Sequence, residues 1–169
     1  MAKSLTITTP EQMRQLGAGL GAIVRAGDVL VLTGDLGAGK TTLTQGLGQA
    51  LGARGRITSP TYTISRLHPT AAGPTLAHVD AYRVTDMWDF ETIDLEALIP
   101  TAITVIEWGE ALIEALDIPY LHLTITRDDG TDELSDMGER RVTFQTHGDR
   151  WAQRIDLHQL QAVLEAMDT

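Results

Sequence analysis

The sequence has no cysteine, which excludes disulfide frameworks and thiolate metal sites. It has no apolar run of membrane-spanning length, and its first ten residues carry neither a long apolar segment nor a cleavage signature. These absences predict a cytoplasmic protein with no membrane partner. With 169 residues, 43% of them hydrophobic and 21% charged, the chain is expected to fold as one domain, 1–169, around a sizeable core.

Positive charge is also scarce. The chain has 13 Lys and Arg residues against 23 Asp and Glu, which gives a formal net charge of −10. Proteins that bind nucleic acid by themselves normally present a basic stripe or patch. Here the arginines are scattered, and the segment 128–139 is acidic. Tight, direct binding to tRNA or DNA is therefore not expected. In a nucleic-acid pathway, another protein would hold the polymer.

The most informative segment is a phosphate-binding loop. The run GDLGAGKTT at 34–42 fits the pattern G-x-x-x-x-G-K-[ST] without a mismatch. A predicted buried strand precedes it and a predicted helix follows it, which is the context that the motif requires. Glycines allow backbone N–H groups to turn toward phosphate oxygens, and the helix N-terminus adds partial positive charge. The residues predicted to surround a nucleoside triphosphate are Asp35, Leu36, Gly37, Ala38, Gly39, Lys40, Thr41 and Thr42.

Four side chains are candidates for catalysis and metal binding. Lys40 is expected to reach the β- and γ-phosphates, and the Thr41 hydroxyl to bind Mg²⁺. A phosphate loop also needs an acid at the end of a neighbouring strand, and Asp80 and Glu107 each end a predicted strand. Both acids are expected to face the ligand crevice, because the carboxyl ends of parallel strands line it. A strand-terminal acid can equally be a solvated turn residue or a helix cap, and the pattern alone does not decide.

The order of predicted elements indicates the fold class. Strands are expected at 4–8, 28–33, 63–67, 75–80, 102–107, 120–127 and 140–146. Helices are expected at 10–25, 41–51, 86–98, 110–116 and 151–167. This alternation predicts an α/β, P-loop NTPase-like three-layer fold with a mainly parallel sheet and an antiparallel edge pair formed by the last two strands.

Two features that the sequence lacks help to identify the nucleotide and the reaction. The absence of an Asn-Lys-x-Asp stretch argues against the guanine-reading GTPases. There is also no helical insert long enough for the lid and acceptor domain of a typical nucleotide kinase. ATP is therefore favoured over GTP, and hydrolysis over transfer to a metabolite. A small-molecule P-loop kinase and a nucleotide-switched binding module remain the alternatives.

Three further blocks complete a family pattern. They are Ser-Pro-Thr-Tyr at 59–62, His-Val-Asp-Ala-Tyr-Arg at 78–83 and Ile-Glu-Trp-Gly-Glu at 106–110. Together with the phosphate loop, they make the chain resemble the TsaE family (formerly YjeE) of bacterial tRNA threonylcarbamoyladenosine biosynthesis ATPases. The resemblance extends over roughly 34–110. The chain departs from the usual pattern after Thr126, where residues 128–136 look like an insertion.

The resemblance implies a function and a set of partners. It implies an ATPase with low intrinsic activity that uses ATP and Mg²⁺ and is stimulated by protein partners. The implied partner is the TsaB–TsaD heterodimer, which makes threonylcarbamoyladenosine beside the anticodon of ANN-decoding tRNAs and which ATP hydrolysis would reset. Contact with tRNA would be indirect, through these partners.

The resemblance also implies residue roles. Glu107 would bind Mg²⁺ or orient water, and Trp108 would lie beside the nucleotide. Asp80 would belong to a switch-like block. The other residues implied to be switch-like are Ser59, Pro60, Thr61, Tyr62, His78, Tyr82 and Arg83. A histidine on a core strand, such as His78, also suits a purely structural hydrogen bond, and the other four histidines are expected at the surface.

Overall fold

The computed structural model describes residues 3–59, 65–71, 73–81, 94–127, 138–151 and 153–166. The strands are β1 (Lys3–Ile7), β2 (Val29–Thr33), β3 (Ser65–His68), β4 (Thr75–Asp80), β5 (Ala102–Glu107), β6 (Tyr120–Arg127) and β7 (Arg140–His147). The helices are α1 (Pro10–Gly21), α2 (Lys40–Leu51), α3 (Leu95–Leu98), which a 3-10 turn follows at Ile99–Thr101, α4 (Glu110–Leu116) and α5 (Leu157–Glu165).

The strands form one sheet in the order β1-β7-β6-β2-β5-β4-β3. The four central strands, β6, β2, β5 and β4, are parallel. β7 pairs antiparallel with β6, as predicted for the last two strands, and β1 extends that edge with a further antiparallel pairing. The opposite edge is also antiparallel, through β3. The carboxyl ends of the parallel strands therefore meet at the same end of the sheet as the phosphate loop, which follows β2.

Helices cover both faces of this sheet, which confirms the predicted three-layer α/β class. On one face, α1 and α2 bury a large apolar cluster that includes Leu30, Leu32, Leu43 and Leu47. On the other face, α4 contributes Ile113 to a smaller cluster with Val29 and Val31. Residues of β2 alternate between the two clusters because successive strand side chains point to opposite faces. No membrane-spanning helix occurs in the part of the chain that the structure describes.

α1 begins as its sequence predicts. Thr9 is the cap residue, its side chain accepts a hydrogen bond from the Gln12 amide at 3.1 Å, and Pro10 is the first helical residue. The Gln12 side chain reaches back to the Thr8 amide at 2.8 Å, one residue before the cap. These bonds satisfy N–H groups that the first turn of a helix leaves unpaired.

The contact between α1 and α2 depends on two glycines. A β-carbon at Gly17 would overlap the carbonyl oxygen of Leu43, and one at Gly46 would overlap that of Arg14. The two helix backbones are therefore in direct contact, with no side-chain layer between them. This contact fixes α1 against the helix that begins at the phosphate loop.

The last helix begins later than predicted. The sequence predicts a start at Trp151, but α5 begins at Leu157. Trp151 is instead fully buried in the larger core cluster, and Arg150 and Arg154 both pair with the buried carboxylate of Asp28 at 2.6 Å. This irregular segment is thus held by tertiary contacts that the sequence pattern does not reveal. Of the helix predicted at 86–98, the residues before 94 lie outside the described residues.

Candidate functional site

The phosphate loop has the backbone conformation that its glycines predict. Gly37 and Gly39 have φ angles of +77° and +118°, which residues other than glycine rarely adopt. The Ala38 amide donates to the Asp35 carbonyl oxygen at 2.9 Å, and α2 begins immediately after Gly39. The N-terminal amides of α2 thus open directly onto the loop, an arrangement that suits an anion. Asp35 and Leu36 form the exposed tip, where Leu36 is 93% exposed.

Lys40 is buried at the base of the loop. Its ammonium donates to the carbonyl oxygens of Gly34 and Asp35, the latter at 3.2 Å. Burial lowers the pKa of Lys40, while the negative charges of Glu107, Asp35 and Asp80 act in the opposite direction. The cation is therefore held in a poorly solvated position by carbonyl dipoles and nearby acids, where an added anion would relieve its lack of solvation.

The two predicted acids lie side by side. Asp80 and Glu107 are register partners at the ends of β4 and β5, and both are buried. Glu107 lies directly beside β2, opposite Leu32, whereas Asp80 is one strand further from the loop. The Ala81 amide donates to the Glu107 carbonyl oxygen at 2.9 Å, which ties the two strand ends together. The structure thus brings both acids to the strand ends beside the phosphate loop.

His78 lies beneath these acids in the same strand pair. Its Nε2 is 3.4 Å from Glu107 Oε1, and its side chain is fully buried. Within the described part of the chain, His78 Nδ1 has no hydrogen-bond partner. The expectation of a buried histidine on a core strand is confirmed, and its neighbour is one of the candidate acids.

Trp108 follows Glu107 with a strained backbone. Its φ of +61° lies in the left-handed region, which costs a bulky residue on the order of 1–3 kcal/mol. Its amide donates to the Leu32 carbonyl oxygen at 3.0 Å, and its ring centroid lies 4.8 Å from Lys40 Nζ. The strained turn therefore places the indole against the lysine of the phosphate loop.

Two groups of residues near the loop were not predicted. Thr33, the last residue of β2, donates to Glu110 Oε1, and His122 Nε2 lies 2.9 Å from the Thr33 hydroxyl and 3.2 Å from Glu110 Oε1. Burial lowers the pKa of His122, and the nearby Glu110 charge opposes this effect. The expectation that the other four histidines lie at the surface was therefore wrong for His122, and also for the buried His68.

The second unpredicted group consists of two arginines from neighbouring strands. Arg127, at the end of β6, donates to the Gly37 carbonyl oxygen at 2.8 Å. Arg140, at the start of β7, donates through Nε to the Ala38 carbonyl oxygen at 3.2 Å. Their sequence positions give no sign of these contacts, because the pairing of β6 with β7 brings them to the loop.

A cleft of about 230 Å³ lies on the α1 side of the loop. Its walls are formed by Ile7, Thr9, Pro10, Met13, Arg14, Gly37, Ala38, Gly39, Thr42, Gly138 and Arg140. Lys40, Asp80 and Glu107 are not among the residues that line it. Thr41 and Thr42 are both half-buried in the first turn of α2.

The remaining predicted site residues are mostly outside the described part of the chain. Ser59 is exposed at the end of a described segment. Pro60, Thr61, Tyr62, Tyr82 and Arg83 lie outside the described residues, so the switch-like role implied for them stays a prediction.

Comparison with known proteins identifies the family. The family described as threonylcarbamoyl adenosine biosynthesis protein TsaE matches residues 7–140. The chain belongs to the TsaE family. A TsaE protein of Streptomyces coelicolor is 48% identical over 144 residues, which cover 83% of this chain and 94% of the relative. A TsaE protein of Bacillus subtilis is 35% identical over 142 residues, 84% of each.

A solved structure supports the same assignment. The crystal structure of Bacillus subtilis YdiB matches with a TM-score of 0.69 and 28% identity, and the match covers 100% of this chain and 99% of that one. The predicted family and fold are thus confirmed. Membership of the TsaE family gives the chain a role in threonylcarbamoyladenosine biosynthesis, among the proteins of that machinery, and makes nucleotide binding the expected property of its phosphate loop.

Proposed function

We propose that this protein is an ATP-hydrolysing subunit of the machinery that makes threonylcarbamoyladenosine in tRNA. The proposal rests on one observation. The ammonium group of Lys40 lies close enough to the carboxyl groups of two strand-end acids, Asp80 and Glu107, for their charges to interact at one phosphate loop. This combination supplies a cation for the transferred phosphoryl group and carboxylates for a metal ion or a water molecule.

The donor set fits a nucleotide with Mg²⁺. Gly37 and Gly39 leave room for phosphates beside the backbone, and the first turn of α2 supplies amide donors. Mg²⁺ is usually bound by one or two carboxylates together with substrate phosphates and water. No group of three or more acidic or histidine ligands is present among the described residues, which agrees with this sparse mode of binding.

Each residue then has a defined task. Lys40 would hold the β- and γ-phosphates, and the Thr41 hydroxyl, Asp80 and Glu107 would hold the metal ion directly or through water. A metal ion held by these residues would supply positive charge that offsets the charge developing on the phosphate oxygens. Glu107, which lies beside β2, is also the group that orients the attacking water. Trp108 borders the nucleotide.

The cleft beside α1 is the place for the nucleoside. Lys40 and the acids mark the γ-phosphate end of the loop, and the cleft lies next to Thr42. Pro10 and Met13 line this cleft with apolar groups suited to a base. A nucleotide laid along the loop would thus extend from the acids into the cleft.

The charge of the chain supports a protein partner rather than direct contact with tRNA. With a formal charge of −10, the surface suits a basic, tRNA-facing cleft of the TsaB–TsaD heterodimer. Hydrolysis would reset that heterodimer between cycles, in the cytoplasm, with the whole chain 1–169 acting as one ATPase domain. If this is correct, binding to TsaB–TsaD weakens with salt and is competed by tRNA.

The deciding experiment is ATP hydrolysis by the purified chain with and without TsaB–TsaD. Slow hydrolysis alone, faster hydrolysis with the heterodimer and loss of both in Glu107→Ala are expected. If Glu107→Ala retains Mg²⁺–ATP binding and stimulated turnover, the assignment of Glu107 is wrong. ATP binding without hydrolysis in any mixture would instead indicate a nucleotide-switched binding module.

A further inference from the structure

Two arginines of the sheet, Arg127 and Arg140, contact the phosphate loop. Arg127 and Arg140 are register partners across β6 and β7, so their guanidinium groups approach the loop from adjacent strands. They donate to the carbonyl oxygens of two successive residues, Gly37 and Ala38. Arg140 is only 7% exposed and also donates to the Gly138 carbonyl oxygen. It is therefore held in place beside the loop by these two contacts.

Peptide geometry gives these contacts a consequence. A trans peptide is planar, so its C=O and the N–H of the next residue point in opposite directions. Arg127 binds the carbonyl oxygen of Gly37. The N–H of the next residue, Ala38, therefore points inward, where it donates to the Asp35 carbonyl oxygen at 2.9 Å. With the Ala38 carbonyl oxygen held by Arg140, the Gly39 N–H is likewise directed away from the guanidinium, toward the interior of the loop.

We propose that Arg140, assisted by Arg127, is a positioning residue that presets the phosphate loop by holding its carbonyl oxygens outward. Without this anchor, the Ala38–Gly39 peptide is free to rotate, because glycine permits many backbone conformations. A loop that must first be ordered binds phosphate more weakly than one already ordered. This inference rests on the proposed nucleotide site, but the loop geometry that it predicts exists without nucleotide.

The test compares Arg140→Met with Arg141→Met. Arg141 is the adjacent strand residue, is exposed and points to the opposite face of the sheet, so it is a matched control. Amide NMR spectra of the nucleotide-free proteins are recorded first, and ADP affinity is then measured by calorimetry. In Arg140→Met we expect the Gly39 and Lys40 resonances to move and ADP to bind roughly tenfold more weakly, since a hydrogen bond from a charged group is lost. Arg141→Met should leave both measurements unchanged.

Two variants keep the test decisive. Arg140→Lys retains the charge and one of the two donor contacts, so it should recover part of the ADP affinity that Arg140→Met loses. If Arg140→Met does not fold, Arg127→Met provides the same comparison, with the change expected at the Ala38 amide.

The outcomes are distinguishable. Unmoved Gly39 and Lys40 resonances in Arg140→Met would overturn the inference. Unmoved resonances with weakened ADP binding would mean that Arg140 contacts the nucleotide directly, which also overturns it. If the wild-type chain binds no nucleotide, the proposed function fails, and the NMR comparison still decides whether Arg140 sets the loop.

Discussion

His78 Nε2 lies 3.4 Å from Glu107 Oε1, and the two side chains are 0% and 4% exposed. A carboxylate only accepts hydrogen bonds, so the imidazole must donate from Nε2. The separation is long for an N–H···O bond. The imidazole therefore helps to fix the position of one oxygen of Glu107.

The first prediction concerns this donor. Glutamine places an N–H close to the position of histidine Nε2, and methionine has nearly the shape of glutamine without a donor. We expect His78→Gln to keep most of the ATPase activity and His78→Met to lose about tenfold in kcat with little change in KM, the cost of one charge-assisted hydrogen bond. Equal losses in both variants, measured by steady-state kinetics, would show that His78 serves packing alone.

The second prediction concerns Lys40. Lys40→Ala should weaken ATP binding by roughly ten- to hundredfold, since a charged contact worth about 1.5–3 kcal/mol is removed. Calorimetric titration with Mg²⁺–ATP measures this change. The chain's one other lysine, the exposed Lys3, provides the control Lys3→Ala, which should bind as wild type does. Unchanged affinity in Lys40→Ala would contradict the nucleotide site.

The third prediction uses Trp108 as a reporter. Its ring now lies 4.8 Å from the Lys40 ammonium, and phosphate binding should draw that cation toward the nucleotide. We therefore expect ATP to change the tryptophan fluorescence. Trp108→Phe should abolish the change, whereas Trp151→Phe, which alters a ring buried in the core cluster, should retain it. An undiminished signal in Trp108→Phe would place the responding tryptophan elsewhere.

The fourth prediction concerns the buried carboxylate of Asp28. Burial raises its pKa, but hydrogen bonds from Arg154, Arg150 and the Arg25 amide outweigh burial, so the pKa of Asp28 is lowered. A lowered carboxyl pKa contributes stability above the unfolded value, near 3.8, and this stability is lost as the pH falls through the folded value.

The measurement is urea unfolding of wild type and Asp28→Asn. At pH 7 the substitution should cost on the order of 3 kcal/mol, because two arginines lose a buried partner. The difference between the two proteins should shrink as the pH falls below about 4. Asp149→Asn, at an exposed neighbouring position, should show no such trend. A difference that persists in acid would mean that the charge of Asp28 contributes nothing.

The sequence predicted those parts of the site that depend on local pattern. The loop at 34–42 and the strand ends at Asp80 and Glu107 could be predicted from the sequence because glycine conformation and strand termination are local properties. Two features could not be predicted in this way: the contact of Arg140 with the loop, and the cluster of Thr33, Glu110 and His122. They join residues about 80 to 100 positions apart through the register of the sheet, which one sequence does not encode in any spacing. The start of α5 was misplaced for a similar reason, since tertiary contacts hold the segment before it.

The backbone contact between α1 and α2 has a mechanical consequence. Where helices meet through side chains, one can slide over the other as rotamers readjust, but Gly17 and Gly46 leave nothing between these two backbones to readjust. We therefore expect the two helices to shift as one unit if either is displaced. One end of this pair of helices is the first turn of α2, at the phosphate loop. The other helix of the pair, α1, packs against α5. A displacement of the first turn of α2 would thus also move α1 and reach the last helix, α5, on the other side of α1.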